Sequence, residues 1–145
     1  MVPPWHKEVP LVAVRHVEPY TDEWRRQPGF YLRRVVEALG DAVDDWWEAD
    51  PSGGGPRAAT LRLTDGTRLQ WDEESGWRHL RPGEPVARYL CGGVLPRPER
   101  VPGALADARA GGGGSTAWRP CYRSHHHQRD GFDLALADYA TLQNA

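Results

Sequence analysis

The residues whose types and spacing could do chemistry fall into a few clusters, and the sharpest is Cys121-Tyr122-Arg123-Ser124-His125-His126-His127. A thiolate and imidazoles at this spacing could ligate zinc through Cys121, His125 and His127. The run lacks the paired-cysteine or HExxH spacing that defines a strong site, and three adjacent histidines cannot all converge on one ion. Arg119, Arg123 and Arg129 beside them also oppose a cation. The favoured reading is a solvated or partner-facing loop; no cofactor is expected, with zinc as the one candidate.

A second cluster is acidic: Asp44, Asp45, Glu48, Asp50, Asp72, Glu73 and Glu74. Asp72, Glu73 and Glu74 are the candidates for general acid–base work, with Trp46, Trp47, Trp71 and Trp77 as ligand platforms. Against this, Glu73 and Glu74 read more simply as a solvated turn, and the tryptophans as core residues and cross-strand pairs. Cys91, beside Gly92-Gly93, is a candidate nucleophile without an identifiable base, and a buried structural thiol is the better reading. Arg119 to Arg129, interleaved with Trp118 and Tyr122, could touch nucleic acid by phosphate contact and stacking. The segment is short and the formal net charge of the chain is −2, so nucleic acid is not favoured.

The elements that must position these residues centre on the stretch Ala58 to Leu80. Leu61 and Leu63 alternate with polar residues, as do Leu69 and Trp71, with Asp65-Gly66 between the two runs. Period two predicts half-buried strands joined by a hairpin. A two-residue loop would place the two apolar sets on opposite faces. A three-residue loop, Thr64-Asp65-Gly66, pairs Leu61 with Leu69 and Ala59 with Trp71 and puts every apolar side chain on one face. That geometry is a type I turn followed by a left-handed glycine bulge. The acidic turn through Gly76 then leads to a third antiparallel strand, in which either Trp77 and His79 or Arg78 and Leu80 face the core.

The signature Leu69-x-Trp71-Asp72-Glu73-Glu74-x-Gly76-Trp77, preceded by the helical run Tyr31 to Gly40, resembles an actinomycete family of small proteins of unknown function over about residues 29–105. The resemblance implies a small cytosolic α+β domain and brings no catalytic residues with it.

Around this centre, residues 1–18 form an extended, proline-rich arm with a short strand at Leu11 to Val17, and residues 19–110 form a single α+β core domain. Residues 111–145 hold a Gly-rich linker, a His/Arg-rich segment and a terminal helix. Thr21 is the N-cap of a helical turn that ends at Pro28, and a separate helix runs from Phe30 to Leu39 with Gly40 as its stop. Val43 to Glu48 reads as a strand, Pro51 to Pro56 as a loop, Val86 to Leu90 as a short strand or helix, and Pro102 to Ala110 as a second helix. No apolar run reaches the length of a membrane span, and a cytoplasmic protein with reduced cysteines is expected. Arginine outnumbers lysine 17 to 1, as in a GC-rich genome.

The fold class predicted is α+β: an N-terminal helix on an antiparallel meander of four or five strands, with one or two C-terminal helices. The function expected is a small non-catalytic binding or adaptor protein acting on another protein, or on itself as a dimer, through its Trp-rich sheet face or its C-terminal tail. The alternative is a small enzyme of specialised metabolism whose Trp-lined pocket holds a small molecule beside carboxylate or histidine groups. A nucleic-acid accessory protein is the third reading.

Overall fold

The computed structural model describes residues 18–49, 55–90, 92–111, 117–127 and 129–143. The arm and its strand, Cys91 and most of the loop after Asp50 lie outside the described residues. Helix α1 spans Asp22–Leu39. Thr21 caps it, with Oγ1 accepting from the Trp24 N–H at 3.3 Å, and Asp22 and Glu23 face the positive end of the helix dipole. The helical turn and the helix expected to be separate are one element, and Pro28 lies inside it. Proline has no N–H to offer the carbonyl four residues earlier, which is that of Trp24. Arg57 makes good the loss: its Nη1 donates to the Trp24 carbonyl at 3.0 Å. A tertiary contact thus satisfies the carbonyl that the proline orphans.

Five antiparallel strands follow in the order β1-β2-β3-β4-β5: Val43–Glu48, Ala58–Leu63, Arg68–Asp72, Gly76–Leu80 and Arg88–Tyr89. The β2–β3 hairpin has the bulged register, Leu61 opposite Leu69 and Ala59 opposite Trp71. Gly66 takes φ +88°, which a side chain would strain. Gly76 is required twice over, since its φ is +74° and an added Cβ would run into the Gly93 carbonyl. The third strand resolves in favour of Trp77 and His79, both buried, while Arg78 and Leu80 face outward. Residues 86–90 supply only the two-residue strand β5, paired with Arg78 and His79.

A 3-10 turn at Pro98–Arg100 leads into α2, Val101–Arg109, and α3 spans Phe132–Gln143. The core joins Tyr31, Leu32 and Val35 of α1, Leu105 of α2 and Phe132 and Leu136 of α3 to Leu61, Leu69, Trp71 and Trp77 of the sheet. All three of these helices therefore cover one face of the sheet. Among the described residues no helix packs on the other face. Nor is any of these helices long and apolar enough to cross a membrane.

Candidate functional site

The acidic turn between β3 and β4 is where residues 122–133, the tail, meet the sheet. Asp72 shapes it: Oδ1 accepts from the N–H groups of Glu74 at 2.9 Å and Ser75 at 2.8 Å, and Oδ2 lies 3.1 Å from Arg78. Glu73 turns inward and is 0% exposed. Oε2 accepts from the backbone N–H of Arg57 at 2.8 Å and from its Nε at 2.6 Å. Oε1 accepts from Arg57 Nη2 at 3.2 Å and Arg123 Nη1 at 2.7 Å. A buried carboxylate persists only when paired and hydrogen-bonded, and this one is saturated at both oxygens.

Both guanidiniums are in turn shared. Arg57 reaches Asp133 at the start of α3 at 2.7 Å and Gln27 at 3.2 Å, and it stacks 3.9 Å from the Trp24 ring. Arg123 reaches Asp130 at 2.7 Å and the His127 carbonyl at 3.0 Å, and lies 4.1 Å from the Phe132 ring. Burial works against the Arg123 charge, but the hydrogen bonds it donates to Asp130 and Glu73 outweigh it and raise its pKa. Planar, multi-donor arginine suits such sharing in a way that lysine does not.

Glu74 holds the next part of the tail. Its Oε2 accepts from the His125 N–H at 3.0 Å and lies 3.0 Å from His125 Nδ1, and its carbonyl accepts from the Tyr122 N–H at 2.8 Å. Burial pushes the Glu74 carboxyl up, but hydrogen bonding to His125 and the charges of His125 and Arg119 bring it below its ordinary value. The solvated turn expected for Glu73 and Glu74 is thus a docking point, because Arg57 and the tail provide the partners that water would otherwise supply.

The tryptophans divide between the two faces of the sheet. Trp71 and Trp77 are directly opposite each other in the core. Their indole N–H groups donate to the Val94 carbonyl at 2.7 Å and to the Tyr31 hydroxyl at 3.1 Å. Burial raises the pKa of that Tyr31 hydroxyl, which donates to the Pro96 carbonyl at 2.6 Å. Trp46 is half-buried on the same face, whereas Trp47 is 41% exposed on the other. The four candidate platforms therefore do not form one surface.

Cys121 is an exposed free thiol, 3.5 Å from the Arg123 carbonyl. His125 is committed to Glu74, and the backbone N–H of His127 donates to the Ser124 carbonyl. No three His, Cys, Asp or Glu side chains among the described residues, Cys121, His125 and His127 included, come together as a metal-binding group. Asp44 and Asp45 are exposed on β1 beside a bulge, with Asp44 3.1 Å from Arg62. Glu48 is held above its ordinary range by partial burial, opposed by the charge of Arg33.

The register also sets out the face that no described helix covers. Trp47, Thr60, Gln70, Arg78 and Tyr89 form one row across all five strands. Arg62 and Arg68 are cross-strand neighbours in the next row. Arg78 lies 5.9 Å from the Tyr89 ring, and Arg119 extends the surface from the tail, 3.8 Å from Asp72. Sequence reasoning named Trp47 here but none of the arginines of β2 to β4. The period-two pattern that places Arg62, Arg68 and Arg78 outward was the available signal. No local signal pointed to Arg57 or Asp133.

Residues 31–107, more than half of the chain, match the model of a family of unknown function (DUF6292). The chain belongs to this family. No curated protein and no solved structure matches it. The DUF6292 match takes in the second half of α1, the whole sheet and most of α2, including Glu73, Glu74 and the sheet face that no described helix covers. Arg123, Phe132 and Asp133 lie beyond it, so the DUF6292 region meets the tail at its acidic turn.

Proposed function

We propose that this protein is a non-catalytic binding module that engages a protein partner through the open face of its sheet. One observation carries the reading. The three described helices cover a single face, and the opposite face carries a row from Trp47 to Tyr89 with Arg62 and Arg68 beside it. Aromatics and arginines are the residue types that anchor interfaces, and Trp47, Arg62 and Arg68 are exposed on this face. Arg62 and Arg78 are paired with Asp44 and Asp72, whereas Arg68 forms no ion pair among the described residues. The partner that fits is a protein surface carrying carboxylates among apolar side chains. The alternative, a small enzyme, is less well supported: Trp71 and Trp77 are core residues, and Glu73 already accepts four hydrogen bonds.

A cytoplasmic location and an actinomycete origin belong to the same proposal, supported by the absence of a long apolar run and by the arginine-rich composition of the sequence. The test is a photo-crosslinking amino acid at Gln70, with the same group at Asp107 of α2 as control, in the native host. The expected outcome is one polypeptide captured from position 70, not from 107, and lost on Arg68→Glu. Equal capture from 107, no capture from 70, or a crosslink only to residues 1–17 of the same chain overturns the reading.

A further inference from the structure

Asp72 is where the sheet face that no described helix covers meets the tail. It closes β3 two residues beyond Gln70, and the period-two alternation of a strand puts its carboxylate on the same face as Gln70 and the cross-strand neighbour Arg78. Asp72 is nevertheless only 5% exposed. Its Oδ1 accepts from the N–H groups of Glu74 and Ser75 at 2.9 and 2.8 Å, which fixes the carboxylate on the turn. Two arginines reach it from distant parts of the chain. Arg78 Nη1 lies 3.1 Å from Oδ2, with Arg78 Nε 3.0 Å from Gln70 Oε1 and its guanidinium 5.9 Å from the Tyr89 ring. Arg119 Nη2 lies 3.8 Å from Asp72 Oδ1 and 3.5 Å from Glu74 Oε1.

These two pairs compete. One carboxylate attracts both guanidiniums, and the two like charges beside it repel each other. Removing either cation therefore strengthens the hold on the other. Arg78 has the closer contact, and its side chain is 24% exposed against 54% for Arg119. Arg119 leads directly into Tyr122 and His125, whose N–H groups donate to the Glu74 carbonyl at 2.8 Å and to Glu74 Oε2 at 3.0 Å. The grip on Arg119 thus bears on how firmly the tail sits on the acidic turn.

We propose that Asp72 couples the open face to the tail: when a partner carboxylate draws Arg78 away, the charge of Asp72 is left to Arg119 and the tail closes more tightly on the turn. This rests on the open-face reading and names its regulation. Linkage makes the effect reciprocal, because a docked Arg119 gives Asp72 a second cation and releases Arg78 to the partner by the same factor. The partner is held best by chains whose tail is docked.

The test reads amide hydrogen exchange at Tyr122 and His125 by NMR in the full chain without partner, each variant folded by circular dichroism. Arg78→Gln, standing in for capture of Arg78, should slow exchange at both amides about threefold, the size of an exposed ion pair's contribution. Arg119→Gln should speed it by about the same factor, and in that background Arg78→Gln should have no effect. Arg78→Lys, which keeps a charge beside Asp72, should exchange as the parent does. A merely structural role for Arg78 in the turn gives faster exchange in both backgrounds. That result, unchanged rates, or an effect of Arg78→Gln that survives Arg119→Gln overturns the coupling and leaves the open-face reading untouched. In the native host, Arg119→Gln should weaken capture from position 70 about threefold. Undiminished capture also overturns the coupling, whereas no capture from the parent chain overturns the open-face reading on which it depends.

Discussion

Glu73 and His79 are two buried polar side chains at opposite ends of one sheet, and they differ in what surrounds them. Glu73 accepts four hydrogen bonds from two arginines, one of them 50 residues further along the chain. His79 has none among the described residues and sits among three arginines. Burial alone therefore does not decide whether a polar group belongs in a core; the supply of partners does. The tail brings Arg123, Asp130 and Asp133 to one end of the sheet, and no described segment performs that service at the other.

The largest effect should come from breaking the saturated end. Arg123→Ala leaves Glu73 short of a buried partner and Asp130 without its guanidinium. It should cost about 3–5 kcal/mol in urea unfolding, the range for halving a buried ion pair. A cost under about 1 kcal/mol, the range of exposed pairs, would show that the tail docks without this pair and that the contrast with His79 is overstated.

The unsaturated end should behave in the opposite way. His79→Leu removes ring nitrogens that have no partner among the described residues and should leave stability unchanged or raise it by about 1 kcal/mol. The pH dependence sharpens the point. The folded-state pKa of His79 lies below its ordinary value of 6.5, so the unfolded chain binds the proton first. The contribution of neutral His79 is fully present above pH 6.5 and is lost as the pH falls from there through the depressed folded value. Thermal midpoints taken across this range should decline in the parent chain and flatten in His79→Leu; parallel curves would refute the assignment.

A similarly modest effect belongs to the half-buried contact between these extremes. Glu74→Gln weakens the grip on His125 and should cost about 1 kcal/mol at neutral pH, one modest hydrogen bond. The folded Glu74 carboxyl lies below its ordinary 4.5, so its contribution is present above that pH and disappears as the pH falls through the lowered value. Parent and variant should therefore converge in acid, and a difference that persists there would place the effect outside the carboxylate.

What could be read from the chain alone follows the range of the interactions. The β2–β3 register was legible because an alternating pattern and an Asp-Gly turn are local, and only one loop length puts Leu61, Leu69, Ala59 and Trp71 on one face. The interruption expected at Pro28 was wrong for a complementary reason: proline breaks a helix by orphaning a carbonyl, and here Arg57, far along the chain, satisfies it. The side-chain roles divided in the same way. Trp71 was readable as a core residue from its alternating strand while the face of Trp77 stayed open, and Glu73 looked solvated because nothing near it in sequence foretells Arg123.

The sequence by itself determined the α+β class, the bulged hairpin, the course of β1 and the terminal helix, since periodicity, turn residues and caps act within a few positions. Only the tertiary structure decided which face of the sheet the described helices cover, that the tail closes over the acidic turn, and that one buried histidine lies among arginines. Those outcomes depend on charges brought together from distant segments, and a buried charge settles where partners converge, whatever its neighbours in sequence.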